Sequence, residues 1–183
     1  MTGYLKARGW LSAAEREALV ALAAEVAARF APAPTLVNIG VEYGASLHCL
    51  RAGAPGAQLV GVDLDCTRLV GHVDATRTHL IAGDSAAAGR AWRAWAQERL
   101  GAPAVHLVFV DGGHTRDAVH ADIVAWTPHL APGGLLAFHD YSDLPMHAGV
   151  VAAVDAWVAR TRRWTERPPV GTLRVFQRQE RAA

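Results

Sequence analysis

The sequence predicts an α/β fold: a doubly wound, mostly parallel sheet with an antiparallel edge hairpin, in a single domain spanning residues 1–183. Three observations predict it. Short apolar runs at 35–40, 58–63, 79–83, 105–111 and 134–140 lack polar alternation, as strands buried on both faces do. Helical patterns at 45–51, 66–73, 85–100, 115–130 and 148–162 separate these runs, and such alternation builds a parallel sheet through right-handed crossovers. Finally, Pro168-Pro169 divides 163–167 from 171–177, which reads as a hairpin closing the sheet.

The elements follow in order. Residues 1–34 form a helical segment ahead of a core at 35–178. Ser12-Ala13-Ala14-Glu15 is a capping box, in which hydroxyl and carboxylate satisfy the orphan amides of a helix start. That helix carries Leu19, Leu22, Val26 and Phe30 on one face until Pro32 and Pro34 stop it. At the other end, 179–183 is expected to fray.

Bulk properties exclude several classes. With 183 residues, 51% of them hydrophobic and 19% charged, the chain suits one soluble domain with one sizeable core. A net charge of +1 offers no field for nucleic acid or anionic membrane, so the expected partner is a small molecule. No apolar run approaches the roughly 20 residues of a membrane span. Met1-Thr2-Gly3-Tyr4-Leu5-Lys6 lacks the apolar core of a secretory signal, so a cytoplasmic location is expected. Cys49 and Cys66 have neither metal nor redox spacing and read as small hydrophobes.

The strand ends carry the chemistry. Val105-His106-Leu107-Val108-Phe109-Val110 runs into Asp111-Gly112-Gly113-His114, and Leu135-Leu136-Ala137-Phe138 runs into His139-Asp140. Neighbouring parallel strands would release these four groups into one crevice. The first strand turns through Asn38-Ile39-Gly40-Val41-Glu42-Tyr43-Gly44-Ala45-Ser46, where glycines permit close ligand approach and helix amides point at it. Its G-x-x-x-G spacing differs from the G-x-G-x-x-G fingerprint and argues against a pyrophosphate there. A purely steric role for these glycines is the alternative. Asp63 ends the second strand at the distance where an acid accepts from ribose hydroxyls. Asp65 reads as a helix cap, and Asp84, ahead of Ser85, as either a cap or a ligand contact. Together these positions describe a nucleoside site without a diphosphate.

With Asp111-Gly112-Gly113-His114, Pro132-Gly133-Gly134 and His139-Asp140-Tyr141 in that order, the chain resembles the class I S-adenosylmethionine-dependent methyltransferases from about Leu36 onward. Within them it is similar to a small bacterial group with Asp-Gly-x-His and His-Asp-Tyr motifs. The resemblance implies a Rossmann-like, seven-stranded sheet and S-adenosyl-L-methionine as cofactor. It places Gly40 and Gly44 along the methionine portion, Ser46 in the same turn, Asp63 on the ribose, Asp84 and Ser85 beside the adenine, and Asp111 near the sulfonium. Asn38 departs from the family, which commonly has an acid there, and Glu42 is the residue able to compensate.

The chain also resembles the metal-dependent macrolide-sugar and catechol O-methyltransferases. By that resemblance Asp111, His139 and Asp140 hold a divalent ion, and His114 is the general base. His139 stands where those relatives have a carboxylate, which tilts preference from magnesium toward manganese, iron, nickel or zinc. Asp111 as a helix cap and His139 as a satisfied core histidine are the structural alternatives. The function implied is metal-assisted O-methylation of a small hydroxylated substrate, such as a sugar or a natural-product intermediate. The alternatives are a metal-dependent hydrolase or oxygenase on the same fold, or a non-catalytic cofactor-binding module.

Other conspicuous residues read as structural. His48, His72, His79, His106, His120 and His129 have no ligand spacing, and Trp92, Trp95 and Trp126 pack helices on the sheet. Arg160, Arg162, Arg163 and Arg167 read as a solvated face. Tyr141 and His147 flank the crevice as candidate substrate contacts, with rim packing the alternative for Tyr141. The helix 12–30 and the loop 141–147 are the available lid material, and a pocket completed by a second subunit is the homo-oligomeric option.

Overall fold

The β-branched and leucine-rich runs form strands because helices cover both of their faces. A computed structural model describes residues 6–69 and 77–180. Its elements are α1 (Ala13–Arg29), β1 (Thr35–Ile39), α2 (Ala45–Gly53), β2 (Gln58–Asp63), β3 (Thr78–Ala82), α3 (Ser85–Leu100), β4 (Val105–Val110), α4 (Arg116–Trp126), β5 (Leu130–Phe138), α5 (Ala148–Val158), β6 (Trp164–Glu166) and β7 (Arg174–Arg178). They make one seven-stranded sheet in the order β3-β2-β1-β4-β5-β7-β6. β1 to β5 are parallel, while β7 runs antiparallel to both β5 and β6. The chain winds outward from β1 to β3 and resumes at β4 on β1's other side. That reversal opens a crevice beyond the carboxyl ends of β1 and β4.

Period-two alternation sorts the strand residues into two cores. Val37, Ile39, Val60, Val62, Val108, Val110, Leu136 and Phe138 meet Trp92 of α3, Ile123 and Trp126 of α4 and Val154 of α5. Leu36, Leu59, Leu107, Phe109, Leu135 and Val175 meet Leu19, Ala23 and Val26 of α1 and Leu47 and Leu50 of α2. Among the described residues no helix is long and apolar enough to cross a membrane. Cys49 is buried and Cys66 half-buried, both as free thiols.

Several boundaries differ from expectation. The fourth crossover helix stops at Trp126, because Pro128 lies in the short 3-10 turn Thr127–His129 and has no N–H for an α-helical bond. β5 therefore begins at Leu130, ahead of Pro132-Gly133, with a register irregularity against β4 between Val105 and Leu107. α5 ends at Val158, four residues short of the expected limit at 162. In the expected helix 66–73, Thr67–Leu69 form a single 3-10 turn capped by Asp65, and 70–73 lie outside the described residues, as does His72. Residues 1–5 and 181–183 also lie outside, whereas the Gln179 amide donates to Arg163 O at 2.8 Å and prolongs the hairpin.

Candidate active site

One end of the crevice is built from backbone. Gly40 has φ +77, and a Cβ there would stand 1.9 Å from the Asp111 carbonyl oxygen, so only glycine lets the ends of β1 and β4 lie this close. The following turn is pinned by Asp63, whose Oδ2 accepts from the Val41 amide at 2.7 Å and the Glu42 amide at 3.0 Å. Asp63 Oδ1 accepts from the Asp65 amide at 3.1 Å. Asp84 is the N-cap of α3, accepting from the Ala87 amide at 2.7 Å, as the structural alternative proposed. Ser85 donates through its hydroxyl to Asp122, a buried acid on α4. Burial pushes the Asp122 carboxyl up to about 6, against the lowering effect of that hydroxyl.

At the other end, side chains converge. His139 directly follows β5 and is almost fully buried, its Nδ1 lying 3.0 Å from Asp111 Oδ1 and 3.2 Å from Asp140 Oδ1. Asp140 adopts φ +61, a left-handed backbone unusual for a non-glycine residue, which turns its carboxylate back over the strand ends. Its Oδ2 accepts from His114 Nε2 at 2.9 Å, and its Oδ1 also lies 3.3 Å from His147 Nε2. Ser142 Oγ hydrogen-bonds with His147 Nδ1 at 2.7 Å. Asp140 thus faces three imidazoles.

Charge balance follows from these contacts. Burial disfavours the imidazolium of His139, but hydrogen bonds to Asp111 and Asp140 outweigh it and push the group up to about 10. Burial acts likewise against ionised Asp140, yet the His139 hydrogen bond and the neighbouring imidazoles hold its carboxyl below the ordinary value. On the far side of His139, Nε2 lies 3.6 Å from Oε2 of Glu15. Burial would raise Glu15, but the Thr172 amide and the Ser12 capping bonds hold it at about 2.

Both ends open into one cleft of about 860 Å³, within the range of roughly 300–1,000 Å³ usual for ligand sites. Gly40, Glu42, Ser46, Asp63, Asp84, Ser85, Asp111, His114, His139 and Asp140 line it. Asn38 and Gly44 do not. Asn38 is fully buried behind the wall, its Nδ2 donating to Gly40 O at 2.9 Å, and among the described residues its Oδ1 has no partner. Gly44 serves as the left-handed N-cap of α2. Glu42 is engaged by Trp10 Nε1 at 3.1 Å and by Arg68 at 3.6 Å.

The expected lid material divides. α1 packs on the sheet through Leu19, Ala23 and Val26, while the segment just before it, Arg8 to Leu11, forms a wall of the cleft. Arg16 holds that segment by donating to Leu11 O at 2.9 Å and Gly9 O at 3.3 Å. Met146 and His147 also line the cleft. Tyr141 packs at the rim, donating to Asp155 at 2.8 Å beneath Arg174, and is not a cleft residue. Sequence reading missed Glu15, Asp122 and Trp10. Glu15 had a visible signal, the capping box, but one that speaks only of a helix start.

The sequence profile of a family described as "Methyltransferase domain" matches residues 37–141, more than half of the chain. The chain belongs to this family. Solved structures share its fold. CalS11, a TDP-rhamnose 3'-O-methyltransferase of calicheamicin biosynthesis, is 19% identical with a TM-score of 0.62, over 88% of this chain and 78% of its own. The MycE methyltransferase of the mycinamycin pathway, in complex with Mg and SAH, is 21% identical with a TM-score of 0.58. That alignment covers 80% of this chain and 45% of MycE, so the chain spans less than half of MycE's length. An O-methyltransferase from Bacillus cereus, in complex with SAH, is 12% identical with a TM-score of 0.67, over 97% and 86% of the two chains.

The methyltransferase takes S-adenosyl-L-methionine as its cofactor, and the cleft fits that group. Its Gly40–Ser85 end combines apolar surface from Ile39, Val62, Leu64 and Ala86 with the acids Asp63 and Asp84, as a nucleoside requires. The Asp111–Asp140 end also fits a divalent ion: one ligand atom each from Asp111, His139 and Asp140 falls within 4.8 Å of the others.

Proposed function

We propose that this methyltransferase methylates a hydroxyl group of a small molecule, a sugar or a natural-product intermediate, with assistance from a divalent ion. The observation that carries the reading is the position of Asp140. One of its oxygens lies 3.2 Å from Nδ1 of His139 and the other 2.9 Å from Nε2 of His114. Base and ion donors are therefore held by a single carboxylate at one end of a cleft whose other end suits a nucleoside.

The cofactor supplies an electrophilic methyl group on a sulfonium. Asp111, His139 and Asp140 would hold the ion, which would supply a Lewis acid able to lower the pKa of an acceptor hydroxyl. Asp140 accepts from His114 Nε2–H, which leaves the Nδ1 lone pair free to take the acceptor's proton. The same carboxylate then stabilises the resulting imidazolium. Asp63 holds the Val41–Glu42 turn, so the cofactor wall is in place before either substrate arrives. CalS11, a sugar O-methyltransferase, and MycE, in complex with Mg, share this fold and support the substrate class and the ion.

The experiment is methyl transfer from labelled S-adenosyl-L-methionine to a panel of hydroxylated sugars and catechols, with and without EDTA. Transfer that EDTA abolishes and Mn²⁺ restores is expected, with the ion lost from Asp111→Ala and Asp140→Ala. Transfer indifferent to EDTA would overturn the ion, and transfer only to nitrogen or carbon acceptors would overturn O-methylation. One observation favours a second reading. His114, Asp140 and His147 also cluster within 4.8 Å, two imidazoles and one carboxylate of the kind that holds iron in oxygenases. Substrate oxidation without methyl transfer would establish it.

A further inference from the structure

We propose that Glu15 is a positioning residue of the catalytic centre, holding His139 and Asp140 for the ion; the inference rests on the ion-assisted reading above. Glu15 belongs to α1, outside the span that the family profile matches. A capping-box glutamate ordinarily lies at the surface, but this one is only 4% exposed. Its Oε2 accepts from the Ser12 amide at 2.8 Å and faces His139 Nε2 at 3.6 Å. Its Oε1 accepts from the Thr172 amide at 2.7 Å and the Thr172 hydroxyl at 2.8 Å.

Thr172 passes this order to Asp140. Its Oγ1, donating to Glu15, accepts from the Asp140 amide at 3.2 Å, and its carbonyl accepts from the Tyr141 amide at 3.1 Å. These bonds bracket the left-handed backbone at Asp140 and aim its carboxylate. Gly171 explains how the hairpin loop comes so near: it has φ +58, and a Cβ there would stand 2.6 Å from Glu15 Oε1. One carboxylate thus faces the outer nitrogen of His139 and steadies the backbone of Asp140. A carboxylate on the outer nitrogen of a ligating imidazole fixes its ring and raises its basicity, and losing such a partner commonly costs about 10–100-fold in metal affinity.

The test measures Mn²⁺ binding by electron paramagnetic resonance, alongside kcat and KM for S-adenosyl-L-methionine. Glu15→Gln is nearly isosteric but presents an N–H₂ either to the Thr172 amide or to His139. It should weaken Mn²⁺ binding by about 10–100-fold and lower kcat, with KM for the cofactor unchanged. Glu25→Gln is the control: it neutralises another acid of α1, one paired with Arg29 and Arg167 and not part of the cleft lining, and should leave Mn²⁺ affinity as in the wild type. Should Glu15→Gln fail to fold, Thr172→Val carries the test, with weakened Mn²⁺ binding again expected. Wild-type Mn²⁺ affinity in a folded Glu15→Gln or Thr172→Val protein overturns the role of Glu15. A wild-type protein that binds no Mn²⁺ overturns the ion reading and this inference with it, and so is a distinct outcome.

Discussion

The two ends of the cleft are made of different material. At the Gly40–Ser85 end, the wall is main chain bent by glycine and held by caps: Asp63 accepts from three amides, and Asp84 caps α3. At the Asp111–His147 end, four side chains, Asp111, His114, His147 and Glu15, come from the loops after β4 and β5 and from α1 to crowd around His139 and Asp140. The first kind of site needs its backbone shape and tolerates change in most side chains. The second needs each donor atom and tolerates little. In the proposed function the first end takes the constant cofactor and the second the acceptor, whose chemistry varies.

Three substitutions sharpen this contrast, from the largest effect to the smallest. His114→Ala should lower kcat by about 10²–10⁴-fold, the usual contribution of a general base, while SAH binds as before by calorimetry. Equal losses of SAH affinity and kcat would mean that the ends are not separable. Gly40→Ala should act in the opposite sense. Its Cβ would collide with the Asp111 carbonyl at 1.9 Å and its φ is +77, so a loss of about 2–4 kcal/mol in urea denaturation is expected. SAH binding should fall with it. A stable Gly40→Ala protein would show that the turn is looser than its geometry.

The third concerns pH at the Gly40–Ser85 end. Asp122 titrates at about 6 in the folded protein against 3.8 for the free group, so the native state binds its proton more tightly than the unfolded state. Stability should therefore fall as pH rises from about 4 to about 6, and this group adds no further slope above that. At 1.36 kcal/mol per unit the change is on the order of 2–3 kcal/mol. Asp122→Asn should flatten that interval in urea midpoints taken from pH 4 to 7. An unchanged slope would assign it to other acids.

Legibility from sequence followed the range of the interaction. Gly40, Asp63, Asp111, His139 and Asp140 line the cleft as the strand pattern implies, because each stands at or just past the end of a visible apolar run and parallel topology places such ends at one edge of the sheet. Asn38 was assigned to the cleft by its family position, yet the pleat turns it into the wall, where it bonds Gly40 O. His147 was suspected only as a flanking residue, and its approach to Asp140 depends on how α5 docks. Asp122 carried no signal, because a polar residue in a surface helix looks the same whether or not a serine of the next helix faces it.

What the order of residues decided alone is local and periodic: the strands, the crossovers, the glycine turn, and which acids and imidazoles stand at strand ends. These depend on φ, on side-chain alternation and on caps within a few positions. What only the tertiary structure decided is which of those groups meet. Glu15 bonds Thr172 across 157 positions and faces His139, and neither contact is implied by spacing, because it arises from the layer of α1 and the edge hairpin closing on the same strand ends. The distance between two packed layers is set by the side chains that fill the space between them, and no local pattern records it.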